Sequence, residues 1–196
     1  EIVSKNNFSE KNNENKFLKV LPIKLKVDSE PGLLDVKNVN YVIEMLDTSS
    51  EYCLENKFDG LITTPIQKSI INDAGIKFSG HTEYLAKKYN VDVPVMLLSC
   101  GEFRVALVTT HLPLINVPKA ITSEKVKKVI SLIIKEMRSK LAINNPKITV
   151  CGLNPHAGED GYLGNEEKEV IAPVINNFIT NGYNISGPVP ADTAFR

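Results

Sequence analysis

Residues 93–110, VPVMLLSCGEFRVALVTT, contain two β-rich apolar runs that are separated only by Gly101 and Glu102. A two-residue connection with glycine in its first position is typical of a type II′ hairpin, because its twist matches that of the flanking strands. The segment therefore predicts an antiparallel pair of strands. Its second run leads directly into His111, so a titratable imidazole is expected where a strand ends and a loop begins.

Apolar periodicity predicts helices and further strands on both sides of this hairpin. The predicted helices cover residues 38–56, 65–75, 81–89, 123–142 and 166–182. The further predicted strands cover residues 17–27, 58–64 and 147–153. Strands that alternate with helices, together with one antiparallel pair, indicate an α/β fold with a mixed sheet.

Local signals mark the ends of these helices. Pro65 suits the first turn of a helix, whereas Thr82 and Ser123 are expected to cap helix starts. Pro173 is expected to kink or divide the last helix, because proline removes a backbone donor and clashes with the preceding turn.

Composition restricts the partners. The 196 residues carry 23 basic and 23 acidic side chains, so the formal net charge is zero and neither nucleic acid nor an anionic membrane is an expected partner. Three widely spaced cysteines within apolar runs indicate free thiols and a cytoplasmic protein. The polar residues 1–16 predict a flexible loop or linker, and residues 17–196 the α/β core. A start without Met and an end at ADTAFR suggest a piece of a longer protein.

Ligands of α/β sheets gather at the carboxyl ends of strands. This rule collects the residues that follow the predicted strands into one region: Thr63, Thr64, Thr109, Thr110, His111, Asn154 and His156. A single histidine in such a place is more often a half-buried ring bonded to a backbone carbonyl. Two of them in one crevice favour a functional site.

Imidazole is a common ligand of zinc, and a catalytic zinc takes three protein ligands. His111 and His156 could supply two of them, although their wide separation matches no local metal motif. His81 is a candidate third ligand. Its predicted position at a helix start suits an anionic substrate group better, so His81 and Thr82 are predicted to contact substrate.

Other signals carry less information. Lys68 could face the crevice or solvent, and Asp192 lies in a proline-rich turn where a backbone hydrogen bond is the ordinary explanation. The segment HAGEDGYLG, residues 156–164, matches no dinucleotide or phosphate-loop motif and predicts a flexible loop.

Several stretches together resemble one known family. TTPIQKS, GIKFSGHTEYLA, RVALVTTHLPL, VCGLNPHAGEDGYLGNEE and SGPVPADTAF occur in the order found in the 4-hydroxythreonine-4-phosphate dehydrogenase family of pyridoxal phosphate biosynthesis. The resemblance covers about residues 58–196. It implies a two-domain fold similar to that of isocitrate and isopropylmalate dehydrogenases, of which this chain would be an incomplete part, and a homodimer with its active site at the interface.

The resemblance also implies the chemistry. The family oxidises 4-phosphooxy-L-threonine with NAD or NADP, and loss of CO₂ then gives 3-amino-2-oxopropyl phosphate. A divalent metal assists, with zinc expected first and magnesium or cobalt as alternatives. His111 and His156 match metal ligands, His81 and Thr82 match substrate contacts, and the third metal-binding histidine of the family falls downstream of Arg196.

Two other interpretations stay open. A relative in the same family could oxidise a four-carbon sugar-acid phosphate, such as threonate or erythronate phosphate. The chain could also be a truncated, non-catalytic domain that binds metal or phosphate, or only dimerises.

Overall fold

The computed structural model describes residues 19–195 and divides the chain into two compact units, the first ending at Val91 and the second beginning at Asp92. Each unit has an apolar core of its own. The linker predicted for residues 1–16 lies outside the described residues. The assignment of residues 17–196 to a single α/β core stays a prediction.

The first unit is built from helices. Helix α1 spans Val39–Leu54, α2 spans Lys68–Asp73 and α3 spans His81–Lys88, which confirms the three helices predicted in this part of the chain. A 3₁₀ turn, Val36–Asn38, precedes α1. The apolar faces of these helices enclose a core whose buried members are Val39, Leu46, Ile71 and Phe78.

Two helix starts in this unit differ from the prediction. The chain before α2 is still extended at Gln67, with φ −82° and ψ 107°, so Pro65 precedes the helix and does not lie in its first turn. Gly80 is the N-cap of α3 and Thr82 lies inside the helix, so the predicted cap at Thr82 is wrong. A β-carbon at Gly80 would lie 2.6 Å from Oε2 of Glu83, so a larger residue there would require the Glu83 carboxylate to shift.

The two strands predicted for this unit are also wrong. Within residues 19–27, only Val20 is assigned to a β-bridge, and residues 17 and 18 lie outside the described part. Residues 58–64 form no strand, and Ile62 is 97% exposed. Their β-rich composition is not sufficient, because a strand needs a neighbour that shares its backbone hydrogen bonds.

The second unit begins with the predicted hairpin. Strand β1, Met96–Cys100, pairs antiparallel with β2, Phe103–Leu107, in a register that places Cys100 opposite Phe103. Gly101 has a φ of 58°, which is the positive value that the first position of a type II′ turn requires. The hairpin prediction is therefore confirmed.

Helices and a second, parallel strand pair complete this unit. After the hairpin come the short helix α4, Val117–Ala120, and the long helix α5, Ser123–Leu141. Strand β3, Ile148–Cys151, pairs parallel with β4, Ile185–Val189. A π-helical segment, Glu167–Ile171, continues into α6, Ala172–Thr180. The core contains Ile121, Val126, Ile130, Ile134, Ile171, Val174, Ile175, Phe178 and Ile185.

The mixed α/β class is confirmed, with differences in detail. The antiparallel and parallel pairs are separate two-stranded sheets in residues 19–195, whereas one mixed sheet was expected. Pro173 follows the π-helical segment at the start of α6, which confirms that it divides the predicted helix. The cap of α5 is Thr122, whose side chain accepts a hydrogen bond from the Lys125 amide, and not Ser123.

Strand β4 was not predicted. Its sequence, ISGPV, contains Gly187 and Pro188, and both residue types usually weaken a strand. Across residues 19–195, no helix combines the length and the apolar character that a bilayer crossing requires.

Candidate functional site

The chain that follows β3 turns in a left-handed sense. Each residue from His156 to Asp160 has a positive φ between 42° and 83°, and Gly161 continues the run at 100°. Left-handed backbone costs roughly 1–2 kcal/mol for each residue that has a β-carbon, so an unsupported run of this length is unfavourable. We call residues 154–164 the His156 turn.

A buried carboxylate holds this turn from one side. Oε1 of Glu167 accepts hydrogen bonds from the backbone amides of Leu153 and Asn154, at 2.6 and 2.7 Å. The Asn154 side-chain amide donates to Oε2 of Glu167 at 2.9 Å and to Oε2 of Glu166 at 2.7 Å. Glu167 is only 4% exposed, so these donors replace the water that its carboxylate would otherwise bind.

The surroundings of Glu167 favour its charged form. Burial by itself would raise the pKa of a carboxyl group, but hydrogen bonds from the backbone and side chain of Asn154 and the backbone of Leu153 outweigh it and lower the pKa of Glu167. The carboxylate is therefore a fixed negative charge at the base of the His156 turn.

Glycines allow the close packing of the turn. A β-carbon at Gly158 would lie 2.7 Å from Oε2 of Glu167 and 2.7 Å from the Gly164 carbonyl oxygen. A β-carbon at Gly152 would lie 2.8 Å from Cα of Ala157, and one at Gly164 would collide with the Asn154 amide. The flexible loop predicted for residues 156–164 is instead a tightly packed turn.

An open pocket of about 700 Å³ lies beside the His156 turn in the second unit. Its lining includes His156, Glu159, Asp160, Glu167, Lys168 and Pro188. The His156 residue itself is exposed, so its imidazole is accessible to a ligand in this pocket.

His111 follows the other sheet of the second unit. It is exposed and has a φ of 53°, the same value as His156. In the part of the chain that the structure describes, no hydrogen bond holds its ring or links it to the His156 turn. The half-buried, carbonyl-bonded ring that a strand-end histidine usually shows is therefore found at neither residue.

Residues 19–195 do not complete a metal site. No group of three or more histidine, cysteine, aspartate or glutamate side chains in this part of the chain is arranged to hold an ion. The donor chemistry of two exposed imidazoles suits zinc or a similar ion.

His81 and Thr82 lie in the first unit, in the first turn of α3. The N-cap Gly80 offers no side chain to the first amides of the helix, so these donors are available to an anionic group. The His81 ring packs edge-on against Phe78, with 5.8 Å between the ring centres. The predicted place of His81 at a helix start is confirmed.

The same helix turn contains an unusual carboxylate. Oε2 of Glu83 is buried, and no hydrogen-bond partner for it lies within residues 19–195. A buried acceptor without a partner is unfavourable by about 1–3 kcal/mol. This oxygen can accept one hydrogen bond from a donor that reaches the start of α3.

The remaining candidates are both exposed. Lys68 is the first residue of α2, in the first unit, and Asp192 lies in the turn that follows β4, in the second unit. In that turn, the amides of Thr193 and Ala194 bond to the Pro190 carbonyl. The backbone hydrogen bond expected for the Asp192 side chain is not seen.

Comparison with known proteins identifies the family. The sequence model of the family described as pyridoxal phosphate biosynthetic protein PdxA matches residues 1–196. The chain belongs to the PdxA family. The 4-hydroxythreonine-4-phosphate dehydrogenase of Yersinia enterocolitica, a curated relative, is 49% identical over 179 residues, which are 91% of this chain and 54% of that protein. The predicted resemblance is confirmed, and the chain spans about half the length of the curated PdxA relatives that it matches.

Solved structures of PdxA proteins share the fold. The 4-hydroxythreonine-4-phosphate dehydrogenase of Klebsiella pneumoniae superposes with a TM-score of 0.83 at 28% identity, covering 91% of this chain and 55% of that one. The enzyme of Burkholderia phymatum gives 0.78 at 32% identity, covering 99% and 59%.

Sequence reasoning missed Glu167. The sequence offered one signal, a pair of glutamates at positions 166 and 167 shortly after a glycine-rich segment. This pair does not indicate which backbone amides would donate hydrogen bonds to the carboxylates.

Proposed function

We propose that this chain is part of a 4-hydroxythreonine-4-phosphate dehydrogenase. The reaction would be oxidation of the secondary hydroxyl of 4-phosphooxy-L-threonine, with hydride passed to NAD or NADP, followed by loss of CO₂ to give 3-amino-2-oxopropyl phosphate for pyridoxal phosphate biosynthesis. The match of the PdxA family over residues 1–196 carries this proposal. The names of the curated relatives support it.

His111 and His156 are proposed as two ligands of a divalent ion, zinc in the first instance and magnesium or cobalt otherwise. Two observations support this proposal. Both residues are exposed, and each lies a few residues after a strand, His111 after β2 and His156 after β3. When bound, such an ion lowers the pKa of a hydroxyl group and polarises a carbonyl group. The third ligand is proposed to lie outside this chain.

His81 and Thr82 are proposed to position the substrate. The free amides at the start of α3 suit a phosphate or carboxylate group, and Oε2 of Glu83 suits a donor such as an ammonium group. An amino-acid phosphate carries groups of both kinds. Holding the substrate in this way lowers the barrier because the reacting carbon must lie within about 3–3.5 Å of the hydride acceptor. Lys68 and Asp192 stay candidate site residues.

The assembly and the location are also proposals. A homodimer with its active site at the interface follows from the family resemblance. A cytoplasmic location is supported by Cys53, Cys100 and Cys151, which are all free thiols.

The metal assignment can be tested in the whole gene product that contains this chain. His111→Ala and His156→Ala should each lose bound metal and turnover together. His81→Ala is the matched histidine control, and it should raise KM or lower kcat while metal content is kept. Metal at wild-type stoichiometry in His111→Ala and His156→Ala would reject the ligand assignment, and loss of metal in His81→Ala would place His81 among the ligands.

The substrate can be tested by assaying NAD reduction with 4-phosphooxy-L-threonine, threonate 4-phosphate and erythronate 4-phosphate in parallel. The proposal expects the highest kcat/KM for the amino-acid phosphate. A higher value for either sugar-acid phosphate would select the alternative substrate class. No turnover with any of them, in protein that binds metal, would favour a non-catalytic binding domain.

A further inference from the structure

Glu167 stands apart from the residues that the family resemblance singles out. It is one of the most buried charged residues in the described chain, at 4% exposure, and it opens the π-helical segment before α6. Its hydrogen-bond partners, Leu153 and Asn154, are 14 and 13 residues away in sequence. Such a buried carboxylate needs strong partners, and it finds them in the His156 turn.

The carboxylate fixes the point where the chain leaves β3. Two successive backbone amides, those of Leu153 and Asn154, point to the same oxygen, Oε1. Hydrogen bonds to an ionised acceptor are about twice as strong as neutral ones. The direction of the backbone just before His156 is therefore set by Glu167.

The same carboxylate also bounds the chain after His156. Gly158 packs so closely on Oε2 of Glu167 that a β-carbon there would lie only 2.7 Å from this oxygen. His156 thus lies between two backbone positions, Asn154 and Gly158, that both rest on one side chain. A shift of this carboxylate would move both supports of the histidine.

We propose that Glu167 is a positioning residue that presents His156 to its ligand by holding the left-handed turn on which the imidazole stands. This proposal rests on the proposed function, in which His156 is a metal ligand. Both carboxylate oxygens of Glu167 already accept hydrogen bonds from Leu153 and Asn154. Glu167 acts on metal affinity by keeping the His156 turn in its binding conformation before the ion arrives, so that little ordering is needed on binding.

A purely structural role makes a different prediction. If Glu167 only stabilised the second unit, its replacement would lower stability while the folded protein kept its metal affinity. If Glu167 positions His156, the folded variant should bind metal more weakly. Metal affinity of folded protein therefore separates the two roles.

The test is a titration of the metal-free whole gene product with Co²⁺, followed by the visible absorption of the bound ion, which reports both affinity and coordination geometry. Glu167→Gln keeps the size of the side chain but faces an amide group toward the donors. Glu169→Gln removes the same charge two residues later, at an exposed position. His156→Ala tests the ligand itself. Circular dichroism of each variant checks that it is folded.

The expected result is a loss of Co²⁺ affinity of about 10–100-fold in Glu167→Gln, the range found when a residue that supports a metal ligand is removed. Its absorption spectrum should change as well, whereas Glu169→Gln should match the wild type in both. Wild-type affinity and spectrum in folded Glu167→Gln, with weakened binding in His156→Ala, would overturn the inference and leave the ligand assignment intact. Unchanged binding in His156→Ala would reject the ligand assignment, and the inference with it.

If Glu167→Gln does not fold, Glu167→Asp is used for the same Co²⁺ titration. It keeps the charge but shortens the side chain by one methylene group, so the carboxylate cannot reach the Leu153 and Asn154 amides without a shift of the turn. We expect a smaller but measurable loss of Co²⁺ affinity. Wild-type affinity in Glu167→Asp would contradict the inference.

Discussion

His111 and His156 have the same backbone φ of 53°, but their surroundings differ. The His156 turn is fixed by a buried carboxylate and by glycines packed against it. His111 is followed by exposed apolar residues, with Leu114 at 85% and Ile115 at 82% exposure. No hydrogen bond to His111 is found in residues 19–195. The same left-handed backbone conformation is therefore stabilised by hydrogen bonds and close packing at His156, whereas the described residues provide no hydrogen bond at His111.

The largest effect is expected from filling the space inside the His156 turn. Gly158→Ala places a β-carbon 2.7 Å from Glu167 Oε2, at a φ of 83°, and should lower the free energy of unfolding by about 3 kcal/mol. Gly182→Ala is the matched control, because its φ is 81° and no atom lies within 4 Å of the added carbon. It should cost only about 1 kcal/mol. Urea denaturation measures both, and equal costs would show that the turn is not tightly packed.

Replacing the buried carboxylate should have the next largest effect. Glu167→Gln loses charged hydrogen bonds to two backbone amides and should lower the free energy of unfolding by about 2 kcal/mol. Glu169→Gln, on the same segment but exposed, should change it by less than about 0.5 kcal/mol. Denaturation curves for the two variants measure the difference. If Glu167→Gln lowered the free energy of unfolding by less than about 0.5 kcal/mol, the His156 turn would be no better supported than the backbone at His111.

The stabilisation by Glu167 should depend on pH. Because its folded pKa is lowered, Glu167 stabilises the fold fully above the ordinary glutamate pKa of about 4.3, and this stabilisation is lost as the pH falls through the lower, folded pKa. The difference in unfolding free energy between the wild type and Glu167→Gln should therefore shrink on acidification. Denaturation at a series of acidic pH values measures it. A difference that grew with acid would mean that the folded pKa is raised.

The smallest effect is expected at His111. Glycine tolerates a φ of 53° better than histidine does, and no hydrogen bond holds the His111 ring in residues 19–195, so His111→Gly should raise the free energy of unfolding by about 0.5 kcal/mol. Urea denaturation is again the measurement. A loss of stability instead would reveal contacts that support His111, and the contrast with His156 would be weaker than described.

Sequence alone was sufficient for features with local causes. The Gly-Glu turn specified the hairpin, apolar periodicity specified α1, α3 and α5, and Pro173 specified the division before α6. In each case the residues that decide the structure are close together along the chain. The position of His81 at a helix start was predictable for the same reason, whereas β2 ends at Leu107 and β3 at Cys151, several residues before His111 and His156.

Features that depend on distant partners could not be predicted. Residues 58–64 have the composition of a strand, but they form none within the described chain. Strand β4 exists because β3 pairs with it, despite its Gly-Pro sequence. The contact of Glu167 with the amides of Leu153 and Asn154 spans 14 and 13 residues and depends on how the π-helical segment packs, which no local pattern encodes.

The central claim is that Glu167 holds the backbone that leads into His156. Amide hydrogen exchange at Leu153 and Asn154 tests it most directly, because these are the two amides that the carboxylate accepts from. The account predicts strong protection of both in the wild type and its loss in folded Glu167→Gln, with protection in α5 unchanged. Retained protection of Leu153 and Asn154 in that variant would contradict the account.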